Sequence, residues 1–342
     1  MGMKGNQILL DHIEGREAAA LMVDGRLSDL LIEGDAPRPG TVYRAVTDRP
    51  VPGQGGVFLK TPDGPAYLRG VKGIDAGEVI QVQVTGYAEP GKAIPVTHKL
   101  LFKSRYAIVT PDAPGLNLSR SISDDDTRDA LLALAHDGME GSEMGLILRS
   151  DSAGADEDAV ADDIAAMREL AEQVVGDIGT GPETLVEGDG PHVLAWRDWV
   201  MAADVVTDEG CFESHGVLDA LEEAQGIRVP LGNGASLFVE ATRALVAVDV
   251  NTGADGSFAA GLKANIACAR ALPAALRVRG LGGQITVDLA PMPKKERRTF
   301  EASLRAAFRS DDVDTVLAGW TPLGHFELQR KRARLPLSEV LK

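Results

Sequence analysis

The sequence predicts a mixed α+β chain, on three observations. Short strand-like runs, punctuated by Gly, Pro and Asp, fill residues 6–100. Two capped, helix-period stretches follow between residues 123 and 178. Towards the C-terminus a strand, a helix and a second strand succeed one another, and each strand runs into an aspartate. The chain has 342 residues, more than one core usually serves. About two to four packing units are therefore expected.

Hydrophobic residues make up 44% of the chain, ample for a folded interior, whereas aromatics are only 4%, so an aromatic in polar, Gly-rich surroundings stands out. No apolar run approaches the ~18 residues that suggest a membrane span. The start, "MGMKGNQILLDHIEG", lacks the basic-then-apolar layout of a signal peptide. Cys211 and Cys268 are far apart and in no CxxC pattern, which argues against a zinc clip and for a reducing compartment. A cytoplasmic protein is expected.

The formal charge of −16 speaks against nucleic acid until its distribution is read. Residues 151–190 hold twelve acids and one base, Arg168. Residues 36–105 carry ten Lys/Arg against five acids, and residues 276–334 twelve against seven. One acidic segment sets the imbalance, and two other regions are locally basic, which is what an electrostatic footprint requires.

In chain order, "QILLDHI", "EAAALMV" and "GRLSDLLIEG" read as a short meander, and "GDAPRPG" breaks the pattern. "TVYRAVT", "GGVFLKT", "GPAYLRG", "EVIQVQVTGY" and "KAIPVTHK" are five short strands, the spacing of an OB-type barrel or another small β-module. Phe58 and Tyr67 fall on consecutive strands with Lys60, Arg69 and Lys72 nearby, a pattern suited to stacking bases beside a basic groove; the alternative is that both rings are core. "SDDDTRDALLALAHDG" is a capped helix, "EMGLILRSDS" a buried strand ending in Arg149 and Ser150, and "DEDAVADDIAAMRELAEQVVGDI" a helix with an acidic first turn. Residues 191–226 hold a strand and two helical pieces, and "IRVPLGNGASLFVEATRALVAVDV" is hairpin-like with a Gly-Asn-Gly turn.

The run "LFVEATRALVAVDVNTG" has the apolar character of a strand buried on both faces, yet it ends in Asp249 and Asn251. "GSFAAGLKANIACARALPAALRVRG" is a helix expected to be disturbed at Pro273 and to end at Gly280. "GGQITVDLAP" follows and ends in Asp288. A crossover of that length joins parallel strands, so neighbouring strands would bring Asp249 and Asp288 to one carboxyl edge. Two carboxylates held close repel unless one protonates or a cation sits between them. Mg²⁺ needs one or two carboxylates and keeps several waters, and such an ion activates water at a phosphate. On spacing alone the other reading, that each aspartate caps the next turn, stands beside this one. Lys/Arg-rich stretches, "PMPKKERRTFEASLRAAFRS" and "ELQRKRARL", come next and suit a polyanionic substrate or a solvated helix face.

"VEATRALVAVDVNTG", "GLGGQITVDLAPM" and "LGHFELQRKR", three ordered blocks, resemble the catalytic core of the bacterial ribonuclease E/G family. The resemblance covers nearly the whole chain. It implies an RNase H-like base with an inserted OB-type barrel, a sensor segment and a C-terminal α/β catalytic unit. In residues these are 1–35 (base, first part), 36–105 (OB-fold RNA-binding domain), 106–190 (5′-sensor-like segment), 191–228 (base, second part) and 229–342 (catalytic, DNase-like subdomain). The implied activity is that of a Mg²⁺-dependent endoribonuclease on single-stranded RNA, leaving a 5′-phosphate and a 3′-hydroxyl. Asp249 and Asp288 match the family's metal-binding aspartates, and Asn251 matches the asparagine that positions them. Phe58 and Tyr67 fall near its base-stacking aromatics and Lys92 near a basic RNA contact. Arg149 and Ser150 match the Arg-Thr pair that holds a 5′-phosphate.

The departures are specific. No CPxCxG zinc-link occurs in these residues, so a monomer or weak oligomer is expected. Asp314 stands where the family has a cation near the 5′-phosphate, Pro291 where it has an acid, and Pro273 interrupts a helix it keeps regular. Two rival functions follow from the same residues: an RNA-binding protein of this ancestry with little nuclease activity, and a metal-dependent phosphohydrolase on small nucleotides. The intact Asp249, Asn251 and Asp288 set weighs against the first, and the stacking module against the second.

Overall fold

The computed structural model describes residues 5–51, 55–71 and 73–341. The chain divides into two compact units, Ala36–Val200, and Met1–Asp35 together with Met201–Lys342. Its class is mixed α+β.

The chain opens with a meander of β1 (Asn6–Ile13), β2 (Arg16–Val23) and β3 (Arg26–Ile32). The tight turns are Glu14-Gly15 and Asp24-Gly25, where both residues have positive φ. That conformation matches the twist of the flanking strands and needs glycine at its second position.

In the unit Ala36–Val200, β4 (Val42–Val51), β5 (Gly56–Thr61), β6 (Gly64–Arg69), β7 (Val79–Val84) and β8 (Ile94–Thr97) follow in sequence. They close in the order β4-β5-β6-β8-β7 and back to β4, a five-stranded barrel consistent with an OB-type fold. Closure leaves no free edge among the five and encloses Tyr43, Leu59, Ala66, Leu68 and Val82. Beyond the barrel come β9 (Phe102–Lys103), β10 (Ala107–Thr110), β11 (Leu116–Leu118), α1 (Asp125–Gly138), β12 (Gly145–Leu148), α2 (Glu157–Val175), β13 (Glu183–Val186) and α3 (Pro191–Asp198). Strands β11-β12-β10-β9 form a sheet, and α1 and α2 bury Leu131, Ala135, Val160 and Ile164 with Val109, Leu146 and Leu148. Asp124 and Asp156 cap these helices, each accepting from backbone N–H groups of the first turn. The unit runs to Val200, beyond the return expected at 191, and residues 191–198 are helical.

The other unit resumes with β14 (Asp204–Val206), which pairs parallel to β1 and completes a sheet of order β14-β1-β2-β3. Short α4 (Cys211–Ser214) and α5 (Val217–Gln225) cover it through Phe212, Val217 and Leu221. Residues 191–226 thus hold three helical pieces and a strand, one helix more than expected. Next come β15 (Arg228–Gly232), β16 (Ala235–Ala241), β17 (Val246–Asn251), α6 (Phe258–Val278), β18 (Gly283–Asp288), α7 (Arg297–Arg309), β19 (Thr315–Trp320), β20 (Phe326–Arg330) and α8 (Leu337–Val340). The six strands order β15-β16-β17-β18-β20-β19, and only β17 and β18 are parallel neighbours.

Two expectations are corrected here. Strand β17 is buried on one face only: Val246, Val248 and Val250 enter the core, while Ala247 is partly exposed and Asp249 and Asn251 are exposed. The small Ala247 made the run look continuous, but the pleat still alternates. Helix α6 also runs unbroken through Pro273. It is packed along most of its length, burying Ala264, Cys268, Leu272, Pro273 and Leu276, and this burial offsets the missing backbone donor. Gly280 ends the helix as expected, at φ +66°, and a Cβ there would lie 1.9 Å from the Leu335 carbonyl oxygen.

Gly280→Ala combines a left-handed backbone with a clash against main chain. It is expected to lower unfolding stability by about 1–3 kcal/mol. Urea denaturation checks it; an unchanged midpoint would contradict this close approach.

Candidate active site

The parallel register of β17 and β18 sets Asp249 directly opposite Asp288. Strands so paired lie about 4.8 Å apart, so the two carboxylates leave the sheet side by side. They sit near the carboxyl ends of both strands, as expected. Their side chains belong to the sheet face opposite α6 and α7, not to a crevice beyond the edge. Alternation decides this: Ile285 and Val287 point into the core, so Gln284, Thr286 and Asp288 point away.

Partial burial, then the charges of Asp288 and Glu240, push the Asp249 carboxyl above its ordinary value. Repulsion of this kind is relieved by a cation between the groups. The donor set fits Mg²⁺: two hard carboxylates open to water. Among the described residues no group of three or more His, Cys, Asp or Glu is arranged to hold a metal, so the pair does not sit in a zinc-like cage. His325 stands beside the pair, its Nε2 3.7 Å from Asp288 Oδ1. Asn251, at the end of β17, accepts from the Gly253 N–H at 2.8 Å and shapes the turn that leaves the strand. Gly253 has φ +74°, and a Cβ there would lie 2.6 Å from the Gly234 carbonyl oxygen, so this turn is held against the β15–β16 hairpin.

One residue that the motif reading missed stabilises the site from behind. Asn265 of α6 is fully buried; its amide donates to the Ala290 carbonyl at 2.9 Å and accepts from the Ala290 N–H at 3.0 Å. The chain just after Asp288 is thereby tied to the crossover helix. Gly261, one turn earlier, lets the same loop approach, since a Cβ there would meet the Pro291 carbonyl oxygen at 2.1 Å. The available signal was an amide in the middle of an apolar helix, "KANIA".

In the barrel, Phe58 and Tyr67 are a cross-strand pair with ring centroids 5.1 Å apart. Both are partly exposed and neither belongs to the barrel core, so the core alternative fails. Their face also carries the exposed Lys60 and Arg69. Gly56 lies under the Tyr67 ring, where a Cβ would meet its hydroxyl at 2.6 Å. Lys92, in the β7–β8 connection, pairs with Glu89 at 2.6 Å. Lys72 lies outside the described residues.

Arg149 and Ser150 follow β12 as expected, with Ser150 exposed at the start of a 3₁₀ turn. The Arg149 guanidinium is already engaged: Nη1 donates to the carbonyls of Ser104, Arg105 and Arg197 at 2.7, 3.1 and 3.0 Å, and Nη2 to Asp198 at 2.9 Å. Asp198 also accepts from Lys103 and Arg197. Burial opposes its charge, but Arg197 and Lys103 hold its carboxyl well below the usual range. Burial pushes the Lys103 ammonium down, against the pull of Asp198, and the neighbouring charges of Arg197 and Arg149 add to the fall. Asp314 is exposed in the other unit, and its carbonyl accepts from the Lys331 N–H.

Asn265→Ala leaves a buried N–H and a buried carbonyl of Ala290 without partners. A loss of about 2–6 kcal/mol is expected, at roughly 1–3 kcal/mol for each of the two unsatisfied groups. Chemical denaturation measures it, and a change under half a kcal/mol would mean that the loop finds other partners.

The ribonuclease E/G family model matches residues 102–209 and 200–333. Ribonuclease G of Salmonella typhimurium (strain SL1344) is 26% identical over 403 aligned positions, covering 97% of this chain and 81% of that protein. Ribonuclease G of Escherichia coli (strain K12) is 25% identical with the same coverage. Ribonuclease E of Synechocystis is 24% identical over 387 positions, covering 96% of this chain and 57% of that protein. With the family model matching well over half of its length, the chain belongs to the ribonuclease E/G family of endoribonucleases.

Proposed function

We propose that this family member hydrolyses single-stranded RNA at the Asp249/Asp288 pair with Mg²⁺ as cofactor. The observation that carries the reading is the in-register placement of the two carboxylates on neighbouring parallel strands. Asp249 and Asp288 would hold the ion through their exposed oxygens, and Asn251 would keep the end of β17 in place through its turn. When bound, Mg²⁺ supplies charge neutralisation at the phosphate and activation of water. Water oxygen attacks phosphorus, the bond to O3′ breaks, and O3′ takes up a proton. The products are a 5′-phosphate and a 3′-hydroxyl.

Phe58 and Tyr67 stack bases on the outside of the barrel, with Lys60, Arg69 and Lys92 offering charge to the backbone. The sheet β14-β1-β2-β3 is the part assigned to an RNase H-like base. The enzyme acts in the cytoplasm, processing or degrading RNA. Both cysteines are free thiols, and no helix among the described residues is long and apolar enough to cross a membrane. The 5′ end is read weakly, because Arg149 is committed to Asp198 and three carbonyls.

Asp249→Asn and Asp288→Asn should each remove most Mg²⁺-dependent cleavage of a labelled single-stranded RNA while leaving its binding nearly unchanged. The double variant should be little worse than either single, since the pair acts as a unit. Full activity in either purified variant would sink the assignment and favour an RNA-binding protein.

Phe58→Ala and Tyr67→Ala should each weaken RNA binding by about 1–3 kcal/mol, with folding little changed. Titration with a fluorescent oligonucleotide and a thermal melt together check this. Unchanged affinity would move the grip elsewhere.

A 5′-monophosphorylated oligonucleotide should be cut less than about tenfold faster than its 5′-hydroxyl counterpart, a difference under roughly 1.4 kcal/mol. A larger preference would show that Arg149 is released to bind phosphate.

A further inference from the structure

The carboxylate pair is the middle of a longer row. In the β16–β17 register Phe238 is directly opposite Asp249, and in the β17–β18 register Asp249 is opposite Asp288. Beyond Asp288, past the last β18–β20 pair of Val287 and Phe326, stands His325, with Nε2 3.7 Å from the carboxylate. Four side chains, Phe238, Asp249, Asp288 and His325, thus cross adjacent strands on one sheet face. At about 4.8 Å per strand the row spans roughly 14 Å.

The two outer members have no evident structural task. Phe238 is partly exposed, and it belongs neither to the core on the other face of the sheet nor to the hydrophobic residues packed against that core. A phenyl ring on a solvent-facing strand position beside a carboxylate buries little and costs hydration of the charge. His325 sits on a rigid turn: Thr321 N–H donates to the His325 carbonyl at 2.8 Å, His325 N–H to Thr321 Oγ1 at 3.1 Å, and Gly324 N–H to the Thr321 carbonyl at 3.0 Å. Its ring is partly exposed.

We infer that Phe238 and His325 form a nucleotide subsite that brackets the cleavage point, so that single-stranded RNA crosses the sheet along this row, perpendicular to the strands. The inference rests on the hydrolytic reading of Asp249 and Asp288. Between Phe238 and His325 the face is acidic, with Glu240 and Glu327 on the same side; the exposed Arg228 lies outside this stretch, opposite Phe238 in the β15–β16 register, so within the row a backbone phosphate is welcome only at the carboxylate pair with its cation. Neighbouring contacts must therefore go to bases and ribose. An aromatic ring and an imidazole supply such contacts by stacking and hydrogen bonding. A Lys or Arg at either position would instead pair with Asp249 or Asp288 and compete for them. This subsite lies on the C-terminal sheet and is built from residues other than the Phe58/Tyr67 platform of the barrel.

The test compares wild type, Phe238→Ala, Phe238→Tyr, His325→Ala and His325→Gln on one labelled single-stranded RNA with Mg²⁺. The alanine variants should raise KM by about fivefold or more with a smaller change in kcat, and should blur the choice among cleavage positions. Phe238→Tyr should restore both, with melting temperatures unchanged throughout. Wild-type KM and cleavage positions in both alanine variants would overturn the subsite and leave the nuclease reading intact. A Phe238→Ala variant that alters oligomeric mass but not KM would assign the ring to a subunit contact and also overturn it. Crosslinking of 4-thiouridine RNA in chelator reads the row without cleavage. Attachment at residues 236–240 and 323–327 supports it, and attachment at the barrel alone rejects it, even if no wild-type cleavage is seen.

Discussion

The parallel pairing of β17 with β18 is the constraint on which the site depends. Parallel neighbours cannot be joined by a tight turn, so the chain must leave the sheet and return through α6. The crossover then becomes the wall of the core, burying Ala264, Cys268, Leu272 and Leu276 against Val248, Val250, Ile285 and Val287. Asn265 and Gly261 add the second half of the device, because they fasten the segment after Asp288 to the same helix. The spacing of the two carboxylates is therefore set by backbone register and a buried amide, not by any contact between the carboxylates themselves. That arrangement tolerates mutual repulsion, since neither carboxylate is needed to hold the other in place.

Within the same unit, a buried ionic cluster ties the crossover to the N-terminal meander. Arg277 near the end of α6 donates to the Ser28 carbonyl and to Asp311, Asp311 also binds Arg330, and Arg334 reaches Asp29 at 3.0 Å. Arg330 and Asp29 are both nearly inaccessible. Replacing such a cluster by apolar residues is often neutral, whereas removing one member leaves a buried charge uncompensated. Its geometry is directional in a way that apolar packing is not: β3, α6 and β20 can meet at these atoms in one arrangement. Arg330 belongs to β20, the direct neighbour of β18, so the cluster reaches the strand beside Asp288.

The barrel solves a different problem. A flat sheet that displays aromatic rings to solvent invites edge pairing with other chains, and closure removes the edges while keeping the outer face. Phe58 and Tyr67 shield each other as a cross-strand pair and the Tyr67 ring lies over Gly56, which lowers the cost of leaving them outside. The C-terminal sheet achieves an open face in the opposite way, by covering one side with two helices and leaving the other, which carries Gln284, Thr286, Asp249 and Asp288 beside Phe238, to solvent.

Much of this was legible in the sequence. Strand punctuation gave the five barrel strands, because Gly and Asp must occupy their turns. The apolar periods gave α1, α2 and α6. The three motif blocks marked Asp249, Asn251 and Asp288, since motif residues are local in sequence. What sequence could not decide is anything set by pleat direction or by partners distant in the chain. Ala247 disguised a one-sided strand as a two-sided one, Pro273 proved compatible with an unbroken helix once both were buried, and the rings of Phe58 and Tyr67 were outside only because the barrel closed on the other face. Arg149 could be matched to a motif, but its three carbonyl partners and Asp198 come from segments about 45 residues away on either side. By itself the sequence determined which residues are available and most of the segments that are strands or helices, because those depend largely on near neighbours. The tertiary structure alone decided which carboxylates stand side by side and which cations are already taken, because register and charge pairing join residues that the chain keeps far apart.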